Sequence, residues 1–287
     1  MSEKRSVGYH MGDVETVISV EEVNRQAQKL GGGVTPDRLG ELAQRKPYVL
    51  IEGLSAGYGK MEILHDFHLE VARGQSLCLI GPNGAGKSTI LHSIFGFTRI
   101  FGGRIMVGEG ASKKDITRLS ASQKLREAGI AYILQDKSVF PDMTVEENLW
   151  MGGYLLETPT LAKERAEKVF AKYERLAARR KHAAKVLSGG ERRLLEISRA
   201  LVMEPEVLLV DEPSIGLEPR FIDMVFDILT DLQKGEGKTI IMVEQNAKRG
   251  LEFADLGYVL VTGQIAMADT GDALLQNPDV GRLFLGG

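Results

Sequence analysis

The chain has little of what extracellular or membrane-spanning proteins need. Only one of its 287 residues, Cys78, is a cysteine, so no internal disulfide can form and a reducing compartment is expected. No apolar run approaches the roughly 20 residues that cross a bilayer. The N-terminus carries Glu3, Lys4 and Arg5 where a signal peptide would have an apolar core. Any association with a membrane is therefore expected to come through other subunits.

The chain also lacks an excess of charge of one sign. Its net charge is −3 and the signs are interleaved, so no basic stripe marks a surface for nucleic acid, and no nucleic-acid partner is expected. No internal repeat or low-complexity tract interrupts the sequence. The length suffices for one large or two small domains with a substantial core.

A glycine-rich loop fits the pattern G-x-x-x-x-G-K-[ST] of a phosphate cradle. An apolar segment, 75–80, precedes it as a predicted buried strand, and 89–97 follows as a predicted helix. Backbone N–H groups of such a loop converge on phosphate oxygens, while the lysine reaches the β- and γ-phosphates and the serine hydroxyl ligates Mg²⁺. The weaker alternative is a glycine turn that precedes a lysine by chance. The residues expected around the phosphates are Gly81, Pro82, Asn83, Gly84, Ala85, Gly86, Lys87, Ser88 and Thr89.

Two adjacent carboxylates follow a second apolar run, 207–210. Ligands of open α/β sheets bind at the carboxyl ends of the strands, so Asp211 and Glu212 are predicted to emerge at that edge. Asp211 is expected to hold Mg²⁺, directly or through water. Glu212 is expected to orient and deprotonate the attacking water. The alternative is that one of the two carboxylates caps the turn at Pro213.

A different glycine segment reads Leu187-Ser188-Gly189-Gly190-Glu191 and precedes a predicted helix, 191–203. In isolation, Ser-Gly-Gly is typical of an ordinary helix N-cap. Here its position about twenty residues before the two carboxylates makes the signal specific. The hydroxyl, the backbone amides and the helix dipole would all be satisfied by a γ-phosphate.

These three segments, in this order, resemble the ATP-binding-cassette ATPases. The resemblance implies ATP hydrolysis and an α/β fold: a P-loop NTPase core with an antiparallel β patch and an inserted α-helical subdomain at about 136–203. The ATPase domain is expected to span 47–287. In this family the signature completes the site of a second subunit, so Ser188, Gly189 and Gly190 are expected to contact ATP in trans.

The resemblance also implies roles for residues outside those segments. Tyr58 occupies the position of an aromatic that stacks on adenine, although a tyrosine between glycines is also a common loop anchor. Gln135 occupies the glutamine-loop position, where the amide touches Mg²⁺ or water. Gln245 stands where most members carry a histidine against the γ-phosphate, and is expected to act in catalysis. Glu218 replaces the usual aspartate in a loop through which subunits contact each other, which leaves its role open.

Several shorter strings narrow the resemblance to one of the two ATP-binding subunits of branched-chain amino-acid importers. The strings are Val243–Asn246, Ser214–Leu217, Thr270–Leu275 and Leu285–Gly287, and the match runs from about Tyr48 to the last residue. The resemblance implies a paralogous or identical ATPase partner, membrane permeases and, indirectly, an external substrate-binding protein. It also implies a peripheral position on the cytoplasmic face of the inner or plasma membrane. Importers of amides or urea and lipopolysaccharide-type exporters have similar ATPases.

Two other classes stay open as hypotheses. A soluble cassette ATPase that acts on ribosomes or DNA usually has two cassettes in one chain or a long coiled coil, and this sequence has neither. A regulatory subunit without turnover is disfavoured by the presence of Lys87, Ser88, Asp211 and Glu212. The surface at 138–141 is expected to receive a short permease helix, with core packing as the alternative role of its Phe140.

Residues 1–46 lie outside the resemblance. One short helix is predicted after Ser19 and a second from Thr35 to Gln44. The favoured interpretation is a mobile or loosely docked extension, and the alternative is a regulatory or partner-docking arm. From there the sequence predicts an antiparallel patch, a parallel core and a hairpin that turns at Thr262-Gly263. The predicted strands are 48–52, 67–71, 77–80, 130–134, 207–210, 239–243, 258–261 and 264–268.

Overall fold

The computed structural model describes residues 34–135 and 138–285, in which two β-sheets are combined with helices. The strands are β1 (Pro47–Tyr58), β2 (Met61–Ala72), β3 (Ser76–Ile80), β4 (Arg99–Val107), β5 (Lys114–Asp115), β6 (Ile130–Ile133), β7 (Val207–Asp211), β8 (Thr239–Val243), β9 (Leu256–Val261) and β10 (Gln264–Thr270). The α-helices are α1 (Pro36–Leu42), α2 (Lys87–Phe95), α3 (Ala121–Ala128), α4 (Val145–Gly152), α5 (Pro159–Lys172), α6 (Glu174–Ala177), α7 (Gly189–Leu201), α8 (Pro219–Thr230), α9 (Ala247–Phe253), α10 (Gly271–Gln276) and α11 (Pro278–Phe284).

The larger sheet has the strand order β10-β9-β3-β8-β7-β6, and its neighbours are parallel except for the antiparallel β9–β10 hairpin. Every residue of β3, β7 and β8 is buried, as expected when both faces of a parallel sheet are covered. Leu77 and Leu79 pack toward the antiparallel sheet, whereas Cys78 and Ile80 pack toward the helices on the other face. The predicted parallel core is therefore confirmed, and β9 joins it beside β3.

The smaller sheet is antiparallel, with the order β2-β1-β4-β5. Its first two strands were expected from the sequence, although both are longer than predicted. β4 was not expected, because Gly102-Gly103 interrupts its apolar pattern. The close approach of strands at this point favours glycine: a Cβ on Gly103 would lie 2.4 Å from the Gly53 carbonyl oxygen. The register between β1 and β4 shifts there as well.

A separate group of helices lies between β6 and β7 along the chain and has its own core. That core includes Val145, Leu149, Phe170, Leu176 and Leu195. Thr144 caps α4 with the capping box that the sequence predicts. The Thr144 hydroxyl accepts a hydrogen bond from the Glu147 N–H, and the Glu147 carboxylate accepts one from the Thr144 N–H. The division of the chain into an extension, a cassette and a helical subdomain stays a prediction.

The N-terminal part of the described chain packs on both sheets. Thr35 caps α1, and the buried Leu39 joins the core between the sheets. Arg38 of α1 forms an ion pair of 3.0 Å with Asp269 of β10. The predicted second short helix is thus confirmed, whereas the helix predicted after Ser19 lies outside the described residues. Among the helices that the structure describes, none combines the length and apolarity that crossing a membrane requires.

Candidate active site

The phosphate loop connects β3 to α2, as the sequence predicts. Gly81 has φ 144°, and a Cβ there would lie 2.3 Å from the Leu260 carbonyl oxygen, so only glycine fits this position. Gly86 is the N-cap of α2 and supplies no side chain to cap it. The first N–H groups of α2 therefore have no side-chain cap, which is the arrangement that can bind an anion at a helix N-terminus. Pro82, Asn83, Gly84 and Ala85 complete the loop, and Lys87, Ser88 and Thr89 form the first turn of α2.

Lys87 is only 8% exposed and its ammonium turns back onto the loop. Its Nζ donates to the carbonyl oxygens of Gly81 at 2.7 Å and Pro82 at 3.0 Å. Burial lowers the pKa of Lys87, while the nearby carboxylates of Glu212 and Asp211 act in the opposite direction. A phosphate group would supply the partly desolvated cation with a further negative charge.

Asp211 lies at the end of β7, and its carboxylate is held from two sides. Ser88 Oγ donates to Oδ1 at 3.3 Å, and the Tyr132 hydroxyl donates to Oδ2 at 2.8 Å. The structure thus brings together the two residues predicted to hold Mg²⁺ most directly. Hydroxyl and carboxylate oxygens are hard ligands of the kind that Mg²⁺ prefers, so the residues present fit this ion.

Glu212 follows with a backbone conformation that is uncommon outside glycine. Its φ is 43°, and its N–H donates to the Val243 carbonyl oxygen at 2.8 Å. The side chain accepts a hydrogen bond of 2.8 Å from Gln135 Nε2. Burial is the main cause of a raised Glu212 pKa, the neighbouring Asp211 raises it further, and Lys87 opposes the shift. Strained backbone and a carboxylate with a raised pKa are both features of functional sites.

Gln135 and Gln245 reach the same end of the sheet from different strands. Gln135 comes two residues after β6 and contacts Glu212 through its amide nitrogen. Gln245 comes two residues after β8, the neighbour of β7 and β3, and its side chain is exposed. Contact of Gln135 with Mg²⁺ and of Gln245 with the γ-phosphate stay predictions.

Tyr58 ends β1 with its side chain 42% exposed. Its hydroxyl forms a hydrogen bond with Nδ1 of His92, a residue of α2. The ring is therefore held at its hydroxyl end beside the helix that follows the phosphate loop. Stacking of this ring on adenine stays a prediction.

The signature segment begins α7, two residues earlier than the sequence predicts. Ser188 and Glu191 form a capping box, in which Ser188 Oγ accepts from the Glu191 N–H and Glu191 Oε2 accepts from the Ser188 N–H at 2.9 Å. Gly190 packs so closely on α8 that a Cβ would lie 2.2 Å from the Phe221 ring. Contact of Ser188, Gly189 and Gly190 with a nucleotide held by another subunit stays a prediction.

Sequence reasoning missed several polar residues around these groups. Buried Arg193 of α7 donates to the Leu134 carbonyl oxygen at 2.7 Å and to Glu196 at 2.8 Å. Buried Glu244 accepts from Ser214 Oγ at 2.7 Å. The spacing of Arg193 and Glu196, which lie on one face of a helix, was an available signal for a charged pair. The contact of Glu244 with Ser214 had no such local signal, because the two residues lie 30 positions apart.

Comparisons with known proteins cover most of the chain. The family model described as ABC transporter matches residues 64–215. The chain is 43% identical to the high-affinity branched-chain amino acid transport ATP-binding protein BraG of Pseudomonas aeruginosa, over 82% of this chain and 97% of that protein. It is 37% identical to the probable branched-chain amino acid transport ATP-binding protein LivF of Archaeoglobus fulgidus, over 81% of this chain and 96% of that protein. It is 31% identical to the lipopolysaccharide export system ATP-binding protein LptB of Haemophilus influenzae, over 82% of this chain and 95% of that protein.

Solved structures show the same architecture. A nucleotide-free ATP-binding cassette from an ABC transporter superposes with a TM-score of 0.72 at 27% identity, over 84% of this chain and 100% of that one. An ATP-binding cassette of an ABC transporter in its ADP conformation superposes with a TM-score of 0.72 at 28% sequence identity, over 84% of this chain and 99% of that one. These similarities confirm the α/β fold that the sequence predicts.

Proposed function

This chain belongs to the ABC transporter family and is an ATP hydrolase, and we propose that it energises the import of branched-chain amino acids. The observation that supports its part as the energy-supplying subunit is the convergence of Lys87, Ser88, Asp211 and Glu212 at one edge of the sheet. The relatives BraG and LivF, both named for branched-chain amino-acid transport, support the substrate class.

In the proposed mechanism the phosphate loop binds ATP and Lys87 neutralises charge on the β- and γ-phosphates. Ser88 and Asp211 would hold Mg²⁺, with Gln135 as a further contact. When bound, this ion neutralises charge on the phosphates and orients the γ-phosphoryl group for in-line attack. Tyr58 would support the adenine ring by stacking.

Glu212 is proposed to orient the attacking water and accept its proton. A carboxylate with a raised pKa is a better proton acceptor near neutral pH than an ordinary glutamate. Gln245 would donate an amide hydrogen bond toward the γ-phosphate, but it has no proton to exchange near neutral pH. Proton transfer therefore rests with Glu212 in this mechanism.

A complete site is proposed to need two subunits. The phosphate loop starts α2, whereas the signature starts α7 in a different group of helices. Ser188, Gly189 and Gly190 would meet ATP that a paralogous or identical subunit holds. ATP would then favour the closed pair and hydrolysis would release it, which is a population shift. Ile215, 41% exposed in the loop after β7, supports a contact between subunits there.

The surface around Phe140 is proposed to receive a short helix of a membrane permease. Phe140 is 40% exposed, with the Arg199 guanidinium 4.8 Å from its ring centroid. It borders a groove of about 530 Å³ whose lining is largely apolar. An amphipathic helix fits such a groove. This contact would place the chain at the cytoplasmic face of the membrane.

Co-isolation with membrane permeases tests the proposed assembly. The full chain, expressed with the permeases of its own transporter, is expected to co-purify with them from detergent. Phe140→Ala should weaken that association, whereas Met61→Ala, a change of an exposed side chain outside the groove, should not. Co-sedimentation with ribosomes in the absence of permeases would overturn the transport proposal.

Lipopolysaccharide export is the second candidate, because LptB of H. influenzae is also a relative. The two candidates differ in the cargo, which an ATPase subunit does not touch. In the reconstituted transporter, an external binding protein loaded with leucine is expected to stimulate ATP hydrolysis. Stimulation only by an amide or urea would favour an importer of those compounds. Lack of any requirement for a binding protein would favour an exporter.

A further inference from the structure

A cluster of aromatic rings surrounds His92, in the middle of α2. The ring centroids of Tyr58, Phe97 and Tyr132 lie 6.1, 5.9 and 5.8 Å from that of His92, all in edge-on geometry. His92 therefore sits between the Tyr58 ring and Tyr132, the residue that donates to Asp211.

The hydrogen bond between Tyr58 and His92 adds a directional contact to this packing. Burial is the main cause of a lowered His92 pKa, so the imidazole is neutral at neutral pH. Either neutral tautomer can pair with the tyrosine, because a phenolic hydroxyl both donates and accepts. The hydroxyl of Tyr58 is thereby anchored while much of the side chain stays open to a ligand.

The backbone around Tyr58 offers little else to fix the ring. Its neighbours Gly57 and Gly59 have no side chains, and Tyr58 pairs with Met61 across the hairpin. Because the Met61 side chain is itself 68% exposed, it does not enclose the Tyr58 ring. A tyrosine in such a place would sample several rotamers unless its hydroxyl had a partner.

We propose that His92 is a positioning residue for the nucleobase, because it fixes the Tyr58 ring in the orientation in which the base stacks. The inference deepens the proposed function and rests on the stacking of Tyr58 on adenine. α2 would then serve both ends of the nucleotide: its first turn binds phosphate, and His92, five residues and about 7.5 Å further along the helix, orients the ring for the base.

The inference predicts that base binding and phosphate binding can be separated. Loss of the hydrogen bond should weaken ATP binding about two- to tenfold, the range for one net hydrogen bond. Inorganic tripolyphosphate has no base, so its affinity should not change. A general loss of structure in α2 would instead weaken both ligands.

The test compares ATP and tripolyphosphate binding by calorimetry in variants of the full chain. His92→Phe keeps a ring but no hydrogen-bonding nitrogen, and Tyr58→Phe removes only the hydroxyl. Both are expected to lower ATP affinity by the same factor, and the double variant should be no weaker than either. His92→Asn, whose amide can pair with the hydroxyl, should restore most of the affinity.

Two outcomes separate this inference from the proposed function. If Tyr58→Ala leaves ATP affinity unchanged, the proposed stacking is wrong. If Tyr58→Ala weakens ATP binding but Tyr58→Phe does not, stacking stands and the positioning role of His92 is overturned. Equal loss of ATP and tripolyphosphate affinity in His92→Phe would also overturn it. Tyr58→Phe keeps the test decisive even if His92→Phe does not fold.

Discussion

The Tyr132 hydroxyl donates a 2.8 Å hydrogen bond to Asp211 Oδ2, the carboxylate oxygen opposite the one that contacts Ser88. Partners of this kind orient a metal ligand, and their removal typically lowers metal affinity by about 10- to 100-fold. Tyr132→Phe is therefore expected to lower Mn²⁺ affinity by about tenfold in the presence of ATP, as measured by electron paramagnetic resonance. Tyr154→Phe, a change of a largely exposed tyrosine, is the matched control. Unaltered Mn²⁺ affinity in Tyr132→Phe would argue against this orienting role.

Glu212→Gln tests the proposed base with almost no change in shape. The amide oxygen can still accept from Gln135, as the carboxylate does now, but it cannot take a proton from water. ATP binding should persist, hydrolysis should fall by about 10²- to 10⁴-fold, and an ATP-bound dimer should accumulate on size exclusion. Glu109→Gln, at an exposed position, is the control. Near-normal turnover in Glu212→Gln would remove Glu212 from the base role.

The raised pKa of Glu212 predicts how hydrolysis depends on pH. A protonated carboxyl cannot accept the proton of water, so kcat should fall as the pH decreases through the raised pKa. The acid limb of the kcat profile is thus expected at a pH above 4.5, the ordinary pKa of a glutamate side chain. An acid limb at or below that value would contradict the predicted environment of the carboxylate.

Gly190→Ala should destabilise the packing of α7 on α8. The added methyl group would lie 2.2 Å from the Phe221 ring, and overpacking of this kind costs about 1–3 kcal/mol. Gly189→Ala is a suitable control, since its Cβ would make an ordinary 3.7 Å contact with Leu217. Chemical unfolding should show the loss in Gly190→Ala and its partial recovery in Gly190→Ala/Phe221→Ala. Equal stability of the two single variants would refute the close-packing argument.

Lys124 is fully buried, and its ammonium donates to the Ser93 carbonyl oxygen at 3.2 Å. Burial lowers its pKa from 10.5 to about 8, so the charged form is less favourable in the folded chain than in the unfolded one. The contribution of Lys124 to folding stability should therefore rise between about pH 8 and pH 10.5, by about 3 kcal/mol. Unfolding of Lys124→Met should lack this rise, whereas Lys60→Met, at an exposed position, should retain it. A rise that persists in Lys124→Met would assign it to another group.

The sequence predicts the parts of the site that are continuous in the chain. Gly81 to Thr89 and the step from an apolar run to Asp211 carry their chemistry within a few residues, so pattern and structure agree. The hydrogen bonds of Tyr132 to Asp211 and Tyr58 to His92 join residues 79 and 34 positions apart. Such contacts leave no periodic signal, because tertiary packing alone decides them. β4 was missed for a local reason, since its paired glycines resemble a loop.

Buried Arg193 connects α7 to the residue that follows β6. Its guanidinium donates to the Leu134 carbonyl oxygen from a position about one and a half helical turns after Ser188, so α7 connects the signature segment to the end of β6. Leu134 lines the groove beside Phe140, as does Arg199 of α7. A tilt of α7 during the proposed closure of the two subunits would therefore move one wall of the groove that is proposed to receive the permease helix.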